Sequence, residues 1–252
     1  MLKEIIIAFQ SYAKAHRFIR KHKLWKWIII PGLLYMILFI ISMFFFGKTA
    51  TGVVHYLIST TGLSTWVERM NSGWISFLFI FLFGILWLLM MLFYFSLFKY
   101  IWLIIGSPLF AYLSEKTECI MKGTAFPFSF KQLMKDILRG VKLALRNTLW
   151  QTVYTIAIIL LSFIPLIGWA APILSLFIEC YYYGFSMLDY SCERQKLSAT
   201  QSIRFIGNHK GLAIGNGFIF YLMHLVPFLG WVLAPSYAVV AATISLHQQK
   251  NI

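Results

Sequence analysis

Trp27-Ile-Ile-Ile-Pro31-Gly-Leu-Leu-Tyr-Met-Ile-Leu-Phe39-Ile-Ile-Ser42-Met-Phe-Phe-Phe46 runs for twenty residues without an Asp, Glu, Lys or Arg. An α-helix rises 1.5 Å per residue, so roughly twenty apolar residues cross the ~30 Å hydrocarbon core of a bilayer. Later charge-free runs include Trp74 to Phe98 and Gly211 to Gln249. Across the chain 60% of residues are hydrophobic and 12% charged, with a mean hydropathy of +0.76, more apolar surface than a water-soluble domain of 252 residues can bury. Segments 27–46 and 74–98 are therefore expected to be transmembrane helices. The first is too long for a secretory signal, lacks a small-residue cleavage pattern and is expected to be retained.

The formal net charge of +14 raises nucleic-acid binding, but the placement of the cations argues against it. Seven Lys or Arg precede residue 27, only Lys48 and Arg69 fall in 47–73, and eight fall in 99–146. Cations collect in cytoplasmic loops, which places 1–26 and 99–149 inside and 47–73 outside. Cys119, Cys180 and Cys192 have neither an even count nor ligand-like spacing, so no disulfide framework or metal is implied. Six histidines form no HExxH motif; His224, inside an apolar stretch, reads as hydrogen-bonded packing or as a proton relay. With no GxSxG, phosphate loop or spaced carboxylate pair, neither catalysis nor a cofactor is expected.

Residues 3–21 place Lys3, Lys14, Arg17 and Lys21 opposite Ile5, Phe9, Tyr12 and Ile19 on a helical wheel, the pattern of a helix lying among lipid headgroups. Within 129–149 a stripe of Lys131, Lys135, Arg139, Lys142 and Arg146 repeats the theme. Two readings of these stripes stand: anchoring by cations at the membrane surface, and an electropositive funnel for anions.

Phe163-Ile-Pro165-Leu-Ile-Gly168-Trp-Ala-Ala-Pro172 recurs as Leu225-Val-Pro227-Phe-Leu-Gly230-Trp-Val-Leu-Ala-Pro235. Proline excludes its predecessor from the α region, so helices are expected to end near Ile164 and Val226. Gly168 and Gly230 suit a positive φ, and Pro172 and Pro235 the first turn of the next helix. Each copy is thus expected to form a hairpin, at 150–190 and 211–247. The apolar arms are shorter than a full span, the last reduced to Ser236–Leu246, so the hairpins are expected to insert partly, with both termini cytoplasmic. The broken turns either shape the hairpins or present helix amino termini to an anion.

Glu179 is isolated within Ile173–Leu188, where a carboxylate is expensive unless paired or hydrated. It reads as a functional acid or as half of an ion pair with a neighbouring helix or subunit. Asp189, at the carboxyl-terminal end of that stretch, opposes the helix dipole and calls for a basic partner such as Arg194 or one from another element.

Three stretches together resemble the CysZ family of bacterial sulfate permeases, which shares a domain with the eukaryotic etoposide-induced membrane proteins. They are Gly106-Ser-Pro108-Leu-Phe-Ala-Tyr-Leu-Ser-Glu115-Lys116-Thr-Glu118, the Pro165–Pro172 copy continuing to Leu188-Asp189-Tyr190, and the copy around Pro227 and Gly230. With Leu24–Leu34 the resemblance covers nearly the whole chain. It implies an all-α integral membrane domain over 1–252, with two long transmembrane helices, two partly inserted hairpins broken by Pro and Gly, and amphipathic interfacial helices. It also implies a homo-oligomer in the bacterial inner membrane that takes up sulfate for cysteine synthesis. The family's sulfate-associated Gly-Leu/Ile-Arg-Arg stretch reads here Lys23-Leu24-Trp25-Lys26. Paired guanidinium forks bind an oxyanion bidentately, whereas lysines act as point charges. Spacing of three is expected to put Lys23 and Lys26 on one helix face; Trp25 and Trp27 read otherwise as interfacial anchors. The competing function is a non-transporting membrane organiser like the etoposide-induced relatives. An intramembrane enzyme built on Glu179 is disfavoured by the lack of any nucleophile or metal set.

Overall fold

The computed structural model describes residues 1–61, 73–124, 129–162 and 170–250. Among these residues it is all helical: α1 (Leu2–Lys21), α2 (Trp25–Thr61), α3 (Gly73–Lys122), α4 (Phe130–Ser162), α5 (Ala171–Arg194), α6 (Ala199–Asn208), α7 (Lys210–His224) and α8 (Leu229–Lys250). Three stretches among them are long and apolar enough to cross a membrane: Trp25–Val53, Leu97–Lys122 and Leu229–Gln249. The chain divides into two compact units, Met1–Ile37 with Lys99–Ile252, and Leu38–Phe98.

In the smaller unit two antiparallel helical segments meet along an aromatic seam. Phe39 stacks on Phe95 with centroids 5.5 Å apart, Phe46 lies 4.8 Å from Tyr94, and the Tyr94 hydroxyl donates to the Ser42 carbonyl at 2.6 Å. Ile41, Phe44 and Phe45 are left exposed. An apolar surface of this kind is satisfied by lipid rather than water.

The larger unit is built around α5 and α7. α5 and α7 cross with backbone against backbone: a Cβ on Gly184 would sit 1.9 Å from the Ala213 carbonyl oxygen, and one on Gly217 2.0 Å from that of Cys180. Beside this crossing the rings of Tyr183 and Phe220 stack at 3.7 Å. Close approach through small residues is how apolar helices associate where no hydrophobic force drives them together. Across α3, α5 and α8 the buried hydroxyls of Ser114, Ser191 and Thr243 bond one another, with Ser191 Oγ donating to Thr243 Oγ1 at 2.9 Å. α1 packs its Ala8, Ser11, Tyr12, Ala15 face on α7 and α8, the Tyr12 hydroxyl donating to the Asn216 carbonyl at 2.9 Å. Its Lys3, Lys14, Arg17 and Lys21 stay exposed.

Several expectations change. The basic stripe of 129–149 and the first hairpin arm form one continuous 33-residue helix, α4. Pro165 and Gly168 lie outside the described residues, while Pro172 stands in the first turn of α5. In the second copy the positive φ falls on Phe228 (60°) rather than Gly230, which is already inside α8. Gly230 is small for another reason, since a Cβ there would lie 1.8 Å from the Met223 carbonyl oxygen. The last arm is not eleven residues long: α8 begins at Leu229 and runs through Pro235, so it reaches spanning length. α3 likewise runs through Pro108. Proline supplies no N–H to the carbonyl four residues back, and there the Ser107 hydroxyl donates to Ile104 O at 2.9 Å in its place.

Candidate functional site

Four helices converge on Glu179. Lys99 of α3 brings its ammonium within 2.8 Å of Glu179 Oε2 and donates to Gln151 Oε1 of α4 at 2.7 Å. The Gln151 amide donates to Glu179 Oε1. The Tyr221 hydroxyl of α7 donates to Glu179 Oε2 at 2.9 Å, and that of Tyr100 to Gln151 Oε1 at 2.6 Å. Lys99, Gln151 and Glu179 are all buried. Both carboxylate oxygens are thereby satisfied, as an ion pair in a low-dielectric interior requires. The arrangement holds α3, α4, α5 and α7 together.

Asp189 lies inside α5, which runs on to Arg194 instead of ending there, and it pairs with α4: Arg139 approaches its Oδ1 at 2.8 Å and also donates to Ser202 Oγ at 2.6 Å and to the Leu197 carbonyl at 2.7 Å. One cation thus ties α4, α5, the α5–α6 turn and α6 together, and a cation near the last carbonyls of α5 suits the helix dipole. Arg194 meets Glu115 at 3.2 Å and Glu193 at 3.8 Å. Beyond the apolar arm, burial pushes the Glu193 carboxyl up to about 7, against the lowering influence of the Arg139 guanidinium. Lys116 lies over the Trp27 ring at 4.8 Å, with Trp27 packed on Tyr112 at 4.3 Å. The Pro108–Lys116 segment is therefore wired to the start of α2 and the end of α5.

Residues 22–24 form the turn between α1 and α2, and Trp25 and Lys26 begin α2. Lys23 adopts φ 52°, the left-handed region, and Leu24 is buried with its N–H bonded to Ile19 O at 3.1 Å. Trp25 opens α2, and Lys23 and Lys26 are exposed. The expectation that these lysines share a helix face is corrected: Lys23 belongs to the turn, and only Lys26 to the helix. A side chain in this left-handed region costs roughly 1–2 kcal/mol, which glycine would avoid. Lys23→Gly is expected to raise thermal stability in detergent by no more than about 1 kcal/mol, because glycine's own backbone entropy offsets part of the relief. A melting curve lowered by the substitution would speak against a strained turn.

The sequence singled out Glu179 and Asp189 but not their partners. Gln151 was visible as a polar residue at the start of an apolar arm, and Lys99 as the first charge after a twenty-five-residue apolar run. Nothing local joined either to Glu179, which lies 28 and 80 positions away.

The family model described as Sulfate transporter CysZ/Etoposide-induced protein 2.4 matches residues 11–235. Among similar curated proteins, one from Pseudomonas aeruginosa, named Sulfate transporter CysZ, is 26% identical over 186 residues, 72% of this chain and 75% of its own length. A protein of the same name from Pseudomonas fluorescens is 28% identical over 186 residues, 72% and 74% of the two chains. Another from Pectobacterium atrosepticum is 24% identical over 233 residues, 90% and 83%. The match spans most of this apolar, all-helical chain, and the chain belongs to the Sulfate transporter CysZ/Etoposide-induced protein 2.4 family.

Proposed function

We propose that this membrane protein moves sulfate, or a closely related inorganic anion, across the bacterial inner membrane as a permease or channel that supplies sulfur assimilation. Family membership, with relatives named Sulfate transporter CysZ, carries the reading. The role is passage rather than catalysis. In this reading both termini and the cationic stripe of α4 face the cytoplasm, since charge-free stretches separate them from the sparsely charged 47–73 segment. The exposed Leu225, Phe228 and Leu229 at the α7–α8 tip support insertion of that hairpin into lipid, and the working protein is a homo-oligomer.

The proposed anion site is the α1–α2 turn, with Lys23 and Lys26 as exposed point charges, buried Leu24 fixing the turn and Trp25 at its edge. A charge-assisted hydrogen bond contributes about 1.5–3 kcal/mol. Lys23→Ala combined with Lys26→Ala is therefore expected to weaken binding of radiolabelled sulfate to the purified protein at least tenfold. Selenate should compete with sulfate in the parent. Unchanged sulfate binding by a folded double variant would rule out this turn as the site. A membrane-organising role is favoured by one observation, the absence of the arginine pair at 25 and 26, and it predicts lipid or protein binding without anion flux.

A further inference from the structure

We propose that the groove between α4, α5 and α7 holds the headgroup of an anionic phospholipid. The cavity measures about 490 Å³; Arg146 and Lys210 supply its cations, and Trp150, Tyr154, Tyr181 and Tyr182 its aromatic walls. Arg146 is half-buried, Lys210 is exposed, and among the described residues neither has a carboxylate partner. Arg146 donates to the neighbouring Asn147 at 3.0 Å, which leaves donors of its guanidinium for a ligand. Among the described residues the lining therefore offers two positive charges and no negative one, the Glu4 carboxylate beside Lys210 being engaged by His209 and the Gly211 N–H.

Both cations stand at a boundary. Arg146 is the last of the α4 stripe, and Lys210 the last charge before the thirty-nine-residue apolar run. Past Arg146, α4 exposes Leu149, Val153, Ile156 and Leu160, and on α5 Ile173 and Phe177 are more than half exposed. Cations, then Trp and Tyr, then bare aliphatic surface is the order met on passing from the headgroup layer into hydrocarbon. A phosphodiester carrying acyl chains fits both parts: its phosphate meets Arg146 and Lys210, and its chains cover the apolar faces of α4 and α5. A free inorganic anion would use the cations and gain nothing from the aromatic walls, which favours the lipid. The inference does not depend on which solute the chain moves.

Native mass spectrometry of the full-length protein tests it, using phosphatidylglycerol and phosphatidylcholine with identical acyl chains. The parent is expected to retain phosphatidylglycerol at least tenfold more tightly. Because a cation near an anionic surface contributes about 1 kcal/mol, Arg146→Gln with Lys210→Gln should weaken retention roughly 10- to 30-fold. The charge-conserving pair Arg146→Lys with Lys210→Arg should keep it. If the double glutamine variant does not fold, exposed Lys210→Gln alone carries the test, with an expected loss of about fivefold. Equal retention of the two lipids, or unchanged selectivity in the glutamine variants, would overturn the proposal. So would displacement of the lipid by inorganic sulfate at matched ionic strength, which would make the groove a free-oxyanion site.

Discussion

Glu179→Ala is expected to destabilise the protein by about 3–5 kcal/mol, because it leaves the Lys99 ammonium buried without a counter-charge, against the Gln151 amide oxygen and the Tyr100 ring. For a chain of this size that is a fall in melting temperature of roughly 6–20 °C. Thermal unfolding in detergent, followed by reaction of a fluorogenic thiol reagent with buried Cys180 and Cys192, reads the effect. Size-exclusion chromatography guards against a change confined to Cys180, the next residue. Replacing both charges, Lys99→Met with Glu179→Met, should recover only part of the loss, since no unpaired charge remains but the Gln151 amide and the Tyr221 hydroxyl lose their acceptor. A melting temperature for Glu179→Ala within about 2 °C of the parent would mean that water reaches the pair and that it does not join the helices as described.

Gly184→Ala and Gly217→Ala should be comparably damaging. In each the new methyl would lie within about 2 Å of a carbonyl oxygen on the facing helix, and neither helix can rotate away without breaking the Tyr183–Phe220 stack. Overpacking a core by a methyl typically costs 1–3 kcal/mol; here the obstacle is backbone, so each substitution is expected to cost about 3 kcal/mol or more. Gly217→Val should give no monodisperse protein. Gly52→Ala, where nothing lies within 4 Å of the added Cβ, serves as the harmless control. Equal yields and melting temperatures for Gly184→Ala and Gly52→Ala would contradict the α5–α7 crossing.

The membrane class and the all-helical fold were legible because charge-free length is a local property: Trp27–Phe46 requires no knowledge of any partner. The repeated Pro-Gly segments were equally visible, but their geometry was not. Pro235 lies inside α8 and Phe228 takes the left-handed turn, because a proline tolerated in a helix and one that ends it differ in the surrounding packing rather than in the dipeptide. Of the candidate residues, Glu179 and Asp189 announced themselves by being acidic among apolar neighbours. Lys99 and Arg139 looked like ordinary members of a basic segment, and only the folded chain turns them inward. Lys23 and Lys26 shared a helical spacing on paper, yet the chain turns between them, since α2 begins only at Trp25.

Flux of radiolabelled sulfate into liposomes containing the purified protein tests the account most directly. Uptake well above that of empty vesicles, reduced by selenate and by Lys23→Ala with Lys26→Ala, is the predicted result. Uptake equal to that of empty vesicles, with the protein folded and inserted, would contradict it.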